Sequence, residues 1–201
     1  FLKSLMSDVT QVTWMSFTRA MDGVVNIPLR SSALQRWFCL LLVYASGGWA
    51  APDAGAQTVE THPFAGINRL VPDGNAAGFS DRRVVVSSIA AISKVRVKLQ
   101  VTGEFNGDLY GYLRCIQGGR TNFCVLLNRP GRAVGRLAGY GDAGVNVTFD
   151  DSAAGEIHTY RSTTNLPAGT PLNGSWRPDG RLVDPSTVLD TTARTSLLSV
   201  F

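Results

Sequence analysis

Four aspartates and two cysteines are the residues of this chain whose types and spacing could do chemistry. Asp108, Asp142, Asp150 and Asp151 fall in stretches that read as loops or strand ends. Loop carboxylates with nearby carbonyls are the oxygen donors that calcium uses. No dense run of alternating Asp and Asn surrounds them, so the competing role is favoured: Asp150 and Asp151 accept backbone amides in a turn. Cys115 and Cys124 flank residues 116–123, a stretch with Gly118 and Gly119 near its middle. Folded as a hairpin, it brings the two thiols roughly opposite each other, and an oxidising compartment would let them bridge.

Other chemistries fail on missing parts. A Ser-His-Asp triad needs a base within reach of a nucleophile. The histidines are His62, just before a proline, and His158, and no Gly-x-Ser-x-Gly elbow is present. Zinc would need Cys and His at ligand spacings that do not occur. No catalytic residue and no cofactor is therefore expected, with calcium the one open possibility. Tyr110, Tyr112, Tyr140, Tyr160 and Trp176 could stack on a sugar ring or fill a core. The sequons Asn146–Thr148 and Asn173–Ser175 occur often by chance, and the first lies inside an expected strand.

The net charge of +4 is spread over scattered arginines, among them Arg82, Arg96, Arg120 and Arg136. Nucleic-acid binding needs a clustered basic footprint, so that partner is not expected. Residues 29–56 have the order of an export signal. Arg30 and Arg36 form a basic flank, 37–45 (WFCLLLVYA) is an apolar core, and Ala54–Ala56 (AGA) offers small residues for cleavage. Met21 would start a leader of ordinary length, about 21–56, so no domain is expected over 1–56. The apolar core is much shorter than a bilayer span, so no membrane anchorage is expected once the leader is removed. The expected location is secreted, periplasmic or cell-surface.

The elements that must position these residues are strands. Residues 95–101 alternate cleanly, with Val95, Val97, Leu99 and Val101 on one side and Arg96, Lys98 and Gln100 on the other. Residues 84–89 (VVVSSI), 109–115, 123–127 and 145–149 read as further strands. Asn106–Asp108, Asn128–Gly131, Gly139–Gly144 and Pro178–Gly180 read as turns, with Gly107 expected at positive φ. Residues 57–80 read as an irregular lead-in, and 186–198 as a turn or loop. Dispersed glycine and short alternating runs predict an all-β domain over 57–201, an antiparallel β-sandwich of jelly-roll or Greek-key type.

Three pieces, Phe105–Leu109 (FNGDL), Val125–Arg129 (VLLNR) and Val147–Ala153 (VTFDDSA), come in an order that resembles the P domain, or Homo B, of subtilisin-like proprotein convertases. The resemblance spans roughly 70–201. It implies a noncatalytic β-sandwich module whose partner is a protease domain or another secreted or cell-surface protein. P-like domains usually close with an Asn-Gly-x-Trp segment and a last strand, so one or two strands are expected to be missing here. A carbohydrate-binding jelly roll and a fragment of a larger secreted serine protease are the alternatives.

Overall fold

The computed structural model describes residues 3–4, 11–16, 58–64, 68–72, 75, 77–117 and 119–201. The leader expected over 21–56, and Gly118, lie outside the described residues. Among the described residues the fold is strand-rich, with two sheets and only short 3-10 turns. Its strands are β1 (Lys3–Ser4), β2 (Gln11–Ser16), β3 (Thr58–Pro63), β4 (Lys94–Val101), β5 (Leu109–Gln117), β6 (Arg120–Asn128), β7 (Val145–Phe149) and β8 (Leu172–Trp176). One sheet has the order β1-β5-β6, the other β3-β2-β4-β7-β8. Among the described residues no helix is long and apolar enough to cross a membrane.

The β4–β7 pair is the centre of the fold and follows directly from the alternation. Val95, Val97 and Leu99 are buried while Lys98 and Gln100 are exposed. On β7, Val145, Val147 and Phe149 are buried and Asn146 is exposed. The antiparallel register pairs Val97 with Phe149, Leu99 with Val147 and Val101 with Val145. A slip of one residue would turn all of these toward water, so burial itself sets the register.

The β5–β6 hairpin closes tightly, with Gln117 paired to Arg120 and a bulge at Gly111/Tyr112. Cys124, Val125, Leu126 and Leu127 on β6 are all buried, so this strand is covered on both faces. The cover is the C-terminal region. Asp179 N donates to Leu126 O, Gly180 N to Val125 O, and Val125 N to Ser196 O, along the edge that β5 leaves free. The apolar core draws on both sheets, and Ile157, Tyr160, Trp176 and Leu198 join it from outside β4–β7.

Several expectations are corrected. The ladders are not purely antiparallel, because β1 runs parallel to β5 and β8 parallel to β7. Residues 84–89 form no strand: Val84 and Val86 are 87% and 85% exposed, and Ser88 instead hydrogen-bonds the Glu60 carboxylate. β-branched residues suit a pleated, half-buried surface, and no neighbour supplies one there. Residues 58–63, expected to be irregular, form β3. Residues 172–176 (LNGSW) form β8, parallel to β7 and buried only at its ends, at Leu172 and Trp176, and they contain an Asn-Gly-x-Trp sequence, the segment whose strand was expected to be missing.

Gly107 is required for a different reason than the one expected. The left-handed backbone sits at Phe105, with φ 63°, and Gly107 is not among the positive-φ residues. A Cβ on Gly107 would lie 2.2 Å from Ala138 O and 2.6 Å from Tyr140 N. The glycine lets two backbone segments touch, and Gly107 N donates to Tyr140 O at 2.7 Å.

Leu99→Ala should lower the unfolding free energy by about 2–5 kcal/mol. Its neighbour substitution Lys98→Ala should change it by less than about 0.5 kcal/mol. Chemical denaturation of both variants checks the alternation, and equal losses would refute it. Gly107→Ala should cost about 1–3 kcal/mol through overpacking alone, read in the same way.

Candidate functional site

Among the described residues a dense cluster of ionisable groups surrounds Asp179. The turn Pro178–Gly180 is anchored to β6 by its amides, and Gly180, with φ 71°, bends the chain back. This seats the Asp179 carboxylate in the interior, fully enclosed, where it accepts from Asn128 N (3.3 Å), Arg181 N (3.3 Å) and Arg181 Nη1 (3.4 Å). His158 Nδ1 lies 2.7 Å from Asp179 Oδ2. The cluster extends outward. Arg181 Nη2 donates to Glu156 Oε1 (3.0 Å) and to Asp190 O (2.7 Å), and Arg194 Nε lies 3.3 Å from Glu156 Oε2. Burial pushes the Glu156 carboxyl up, but the Arg181 hydrogen bond and the charges of Arg181 and Arg194 prevail and leave it lowered.

A histidine held by a buried aspartate is half of a hydrolytic triad. Here the other half of the ring is closed. His158 Nε2, the atom that would face a nucleophile, lies 2.9 Å from Arg132 O, and the side chain has no solvent exposure. A carbonyl oxygen only accepts, so Nε2 faces a backbone acceptor where a triad would place the nucleophile. The ring cross-links the segment at 132 to Asp179.

The four candidate calcium ligands are not brought together. Among the described residues no group of three or more His, Cys, Asp or Glu side chains could hold a metal ion. Asp108 lies 3.6 Å from Arg129 Nη2. Asp142 is buried, accepts from Tyr160 Oη at 2.5 Å and from Arg161 Nε at 2.7 Å, and makes a further contact with Arg161 Nη2. Burial alone would raise its carboxyl, but Arg161 and Tyr160 leave it lowered. The Tyr160 phenol is raised, first by burial and then by Asp142. Asp150 is flanked by Lys94 Nζ at 2.8 Å and Arg96 Nε at 2.7 Å, so two protein cations stand where a metal would. It also accepts from Ser152 N and Oγ, the local turn that was expected. Asp151 differs from the expectation. Its oxygens accept from Leu198 N (3.2 Å) and Ser199 N (2.7 Å), capping the distant 3-10 turn at 198–200.

The bridge expected between Cys115 and Cys124 is absent, and both are free thiols. The register that sets Gln117 opposite Arg120 pairs Cys115 with Asn122 and Cys124 with Leu113. The cysteines are thus diagonal neighbours, farther apart than directly opposed residues. Burial pushes both thiols up, Cys124 far more than Cys115.

The aromatic set divides. Tyr140, Tyr160 and Trp176 are core residues, with Tyr160 centroids 4.6 Å from Tyr140 and 6.2 Å from Trp176. Tyr110, Tyr112 and Phe123 form a half-buried strip on the hairpin, with centroids 6.0 and 4.6 Å apart and rings tilted by 57° and 36°. His62 lies 3.3 Å from Glu60, away from the cluster. Asp179, Glu156, Arg181, Arg194 and Asn128 were not expected at a site. The one local signal was the Pro-Asp-Gly turn, which marks a bend and says nothing of burial.

No family model, no curated protein and no solved structure matches this chain.

The Asp150 carboxyl ends well below its ordinary value. Burial opposes this, and hydrogen bonds from Lys94, Ser152 and Arg96 more than offset it. A carboxyl lowered by folding adds stability that is complete above the unfolded value, about pH 4, and is lost as pH falls through the folded value. Thermal melts between pH 6 and pH 2 should show this acid loss, and Asp150→Asn should flatten it; an unchanged slope would count against the pairing. Alkylation of the native, unreduced chain followed by peptide mass mapping should label Cys115 and spare Cys124 until denaturant is added. A Cys115–Cys124 linked peptide would restore the bridge.

Proposed function

We propose that this chain is an exported, noncatalytic β-sandwich of jelly-roll or Greek-key type, an accessory or interaction module similar to the P domain. Its partner is then a protease domain or another secreted or cell-surface protein. The observation that carries this reading is how the three motif pieces are used. Each holds the fold together. Arg129, at φ 50°, closes the VLLNR piece onto the FNGDL piece, with Nε donating to Gly107 O at 3.0 Å and its amide to Leu109 O at 2.8 Å. The VTFDDSA piece supplies β7, the Asp150 cluster with Lys94 and Arg96, and the Asp151 cap. His158 adds support, because a base whose two ring nitrogens are engaged inside the fold serves packing.

One observation favours the carbohydrate-binding alternative: the half-buried Tyr110–Tyr112–Phe123 strip. Stacked aromatic contact with a sugar is sequence-local and removable. Under the accessory reading the purified chain turns over neither casein nor basic-site peptides, and Tyr112→Ala leaves any polysaccharide retention unchanged in affinity electrophoresis. Hydrolysis abolished by a serine-protease inhibitor would overturn the noncatalytic reading. Saturable retardation by a polysaccharide, lost in Tyr112→Ala, would replace it with the sugar-binding one.

A further inference from the structure

Residues 80–88 form an arch between two anchors. Phe79 on one side and Ile89 on the other pack against the core, and the residues between them carry no strand, helix or turn. Arg82, Arg83, Val84 and Val86 are exposed. Arg82 and Arg83 are the one pair of adjacent basic residues in the sequence. Arg83 Nε donates to Asp81 Oδ2 at 2.7 Å, yet its side chain remains 48% exposed, and an exposed pair holds weakly. An endoprotease takes its substrate as an extended strand, and exposed loop backbone is where nicking concentrates. The basic residues that follow the arch do not offer such backbone. Arg96, Lys98, Arg114 and Arg120 lie inside ladders. Arg136 lies in a hydrogen-bonded turn, and Arg129 and Arg177 precede prolines. Arg132, Arg181 and Arg194 are held on backbone carbonyls.

We propose that the arch is a proteolytic cleavage site, at which an endoprotease with an acidic primary pocket hydrolyses the Arg83–Val84 bond of the folded chain. The hydroxyl of a water goes to the Arg83 carbonyl carbon and its hydrogen to the Val84 nitrogen, so the new ends are a carboxylate and an ammonium. Charge sets the class of enzyme. A guanidinium pairs bidentately with a carboxylate in the pocket, and Arg82 presents a second positive charge to the neighbouring subsite. The core sets the outcome. Among the described residues the buried apolar side chains run from Val95 to Leu198, so all of them stay in the piece that begins at Val84. The cut leaves the preceding piece joined to it by the ladders of β1 with β5 and β2 with β4, and by Ser88 N and Oγ on the Glu60 carboxylate. This site does not rest on the accessory-module reading.

The test treats the full chain in native buffer with dilute trypsin, whose primary pocket is acidic, and follows the pieces by intact mass and thermal melts. Of the bonds within 78–201, Arg83–Val84 should be cut first. The piece 84–201 should accumulate and melt cooperatively. Arg114, Arg120 and Arg136 should be cut only when denaturant is added. Arg82→Gln combined with Arg83→Gln should abolish the piece that begins at Val84. Val84→Pro should abolish it too, because it keeps both charges and puts a proline after the scissile carbonyl. A first cut inside 94–201, a piece 84–201 degraded as fast as it forms, or a piece that persists in both variants overturns the proposal. Should a variant fail to fold, a urea series on the parent gives the second reading. A cut at Arg83 whose rate stays flat through low urea supports the arch, and a rate that climbs with urea from the start shows that unfolding is needed and overturns it.

Discussion

A carboxylate buried without exposure is the constraint on which the C-terminal third of this fold depends. An isolated charge in the interior is prohibitive, and one that is paired and hydrogen-bonded survives. The Asp179 carboxylate meets this condition through Asn128 N at the end of β6, Arg181 two residues on and His158 from the 3-10 turn at 157–162, while Arg194 Nε holds the backbone carbonyl of Asp179 at 2.9 Å. Each partner is then fixed in turn. Arg181 needs Glu156 and Asp190 O, and His158 needs Arg132 O. Residues 150–201 hold one strand, β8, so outside it this region is fixed by backbone bonds to β6, by its core side chains and by the ion network. Loss of any one partner leaves a buried charge uncompensated, which is more damaging than replacing the pair with apolar groups.

The same constraint explains why the Asp179 cluster has no open face: both ring nitrogens of His158 are engaged inside the fold. A histidine, several carboxylates and a guanidinium cluster are the ingredients of catalysis. Function requires an open face toward a substrate, and the Asp179 cluster closes that face with backbone carbonyls and arginines. Asp150 repeats the pattern at smaller scale, with Lys94 and Arg96 where a metal ion would sit.

What could be read from the chain was local. A period of two placed β4 and β7 and identified Val97, Leu99 and Phe149 as inward residues, because burial on one face leaves its mark at every second position. The hairpin was legible from its glycines, but the pairing of the cysteines was not: a shorter turn moves each cysteine one diagonal along. Residues 84–89 misled because β-branched composition is the same whether or not a partner strand is present. The calcium candidates were correctly placed at loops and strand ends. Their partners, such as Arg161 for Asp142 and Leu198 N for Asp151, lie far along the chain. Long-range pairing leaves no spacing to read. Asp179 with Asn128, and Glu156 with Arg181, were invisible for the same reason.

The two flanks of β4 are therefore held by different physics. On the β7 side, apolar pairs, the Asp150 cluster and the Asp151 cap reinforce one another, and the ion network locks β6 against the same region. On the other side β3 has no buried residue among Thr58–Pro63, and what joins it to β4 is backbone pairing through β2. Backbone hydrogen bonds exchanged against water add only about 1 kcal/mol each. Side-chain burial makes one flank of β4 particular to this sequence. On the other flank the antiparallel ladders of β2 set the register by which β3 reaches β4, from Gln11 opposite Lys98 to Met15 opposite Lys94 and from Gln11 opposite Pro63 to Ser16 opposite Thr58.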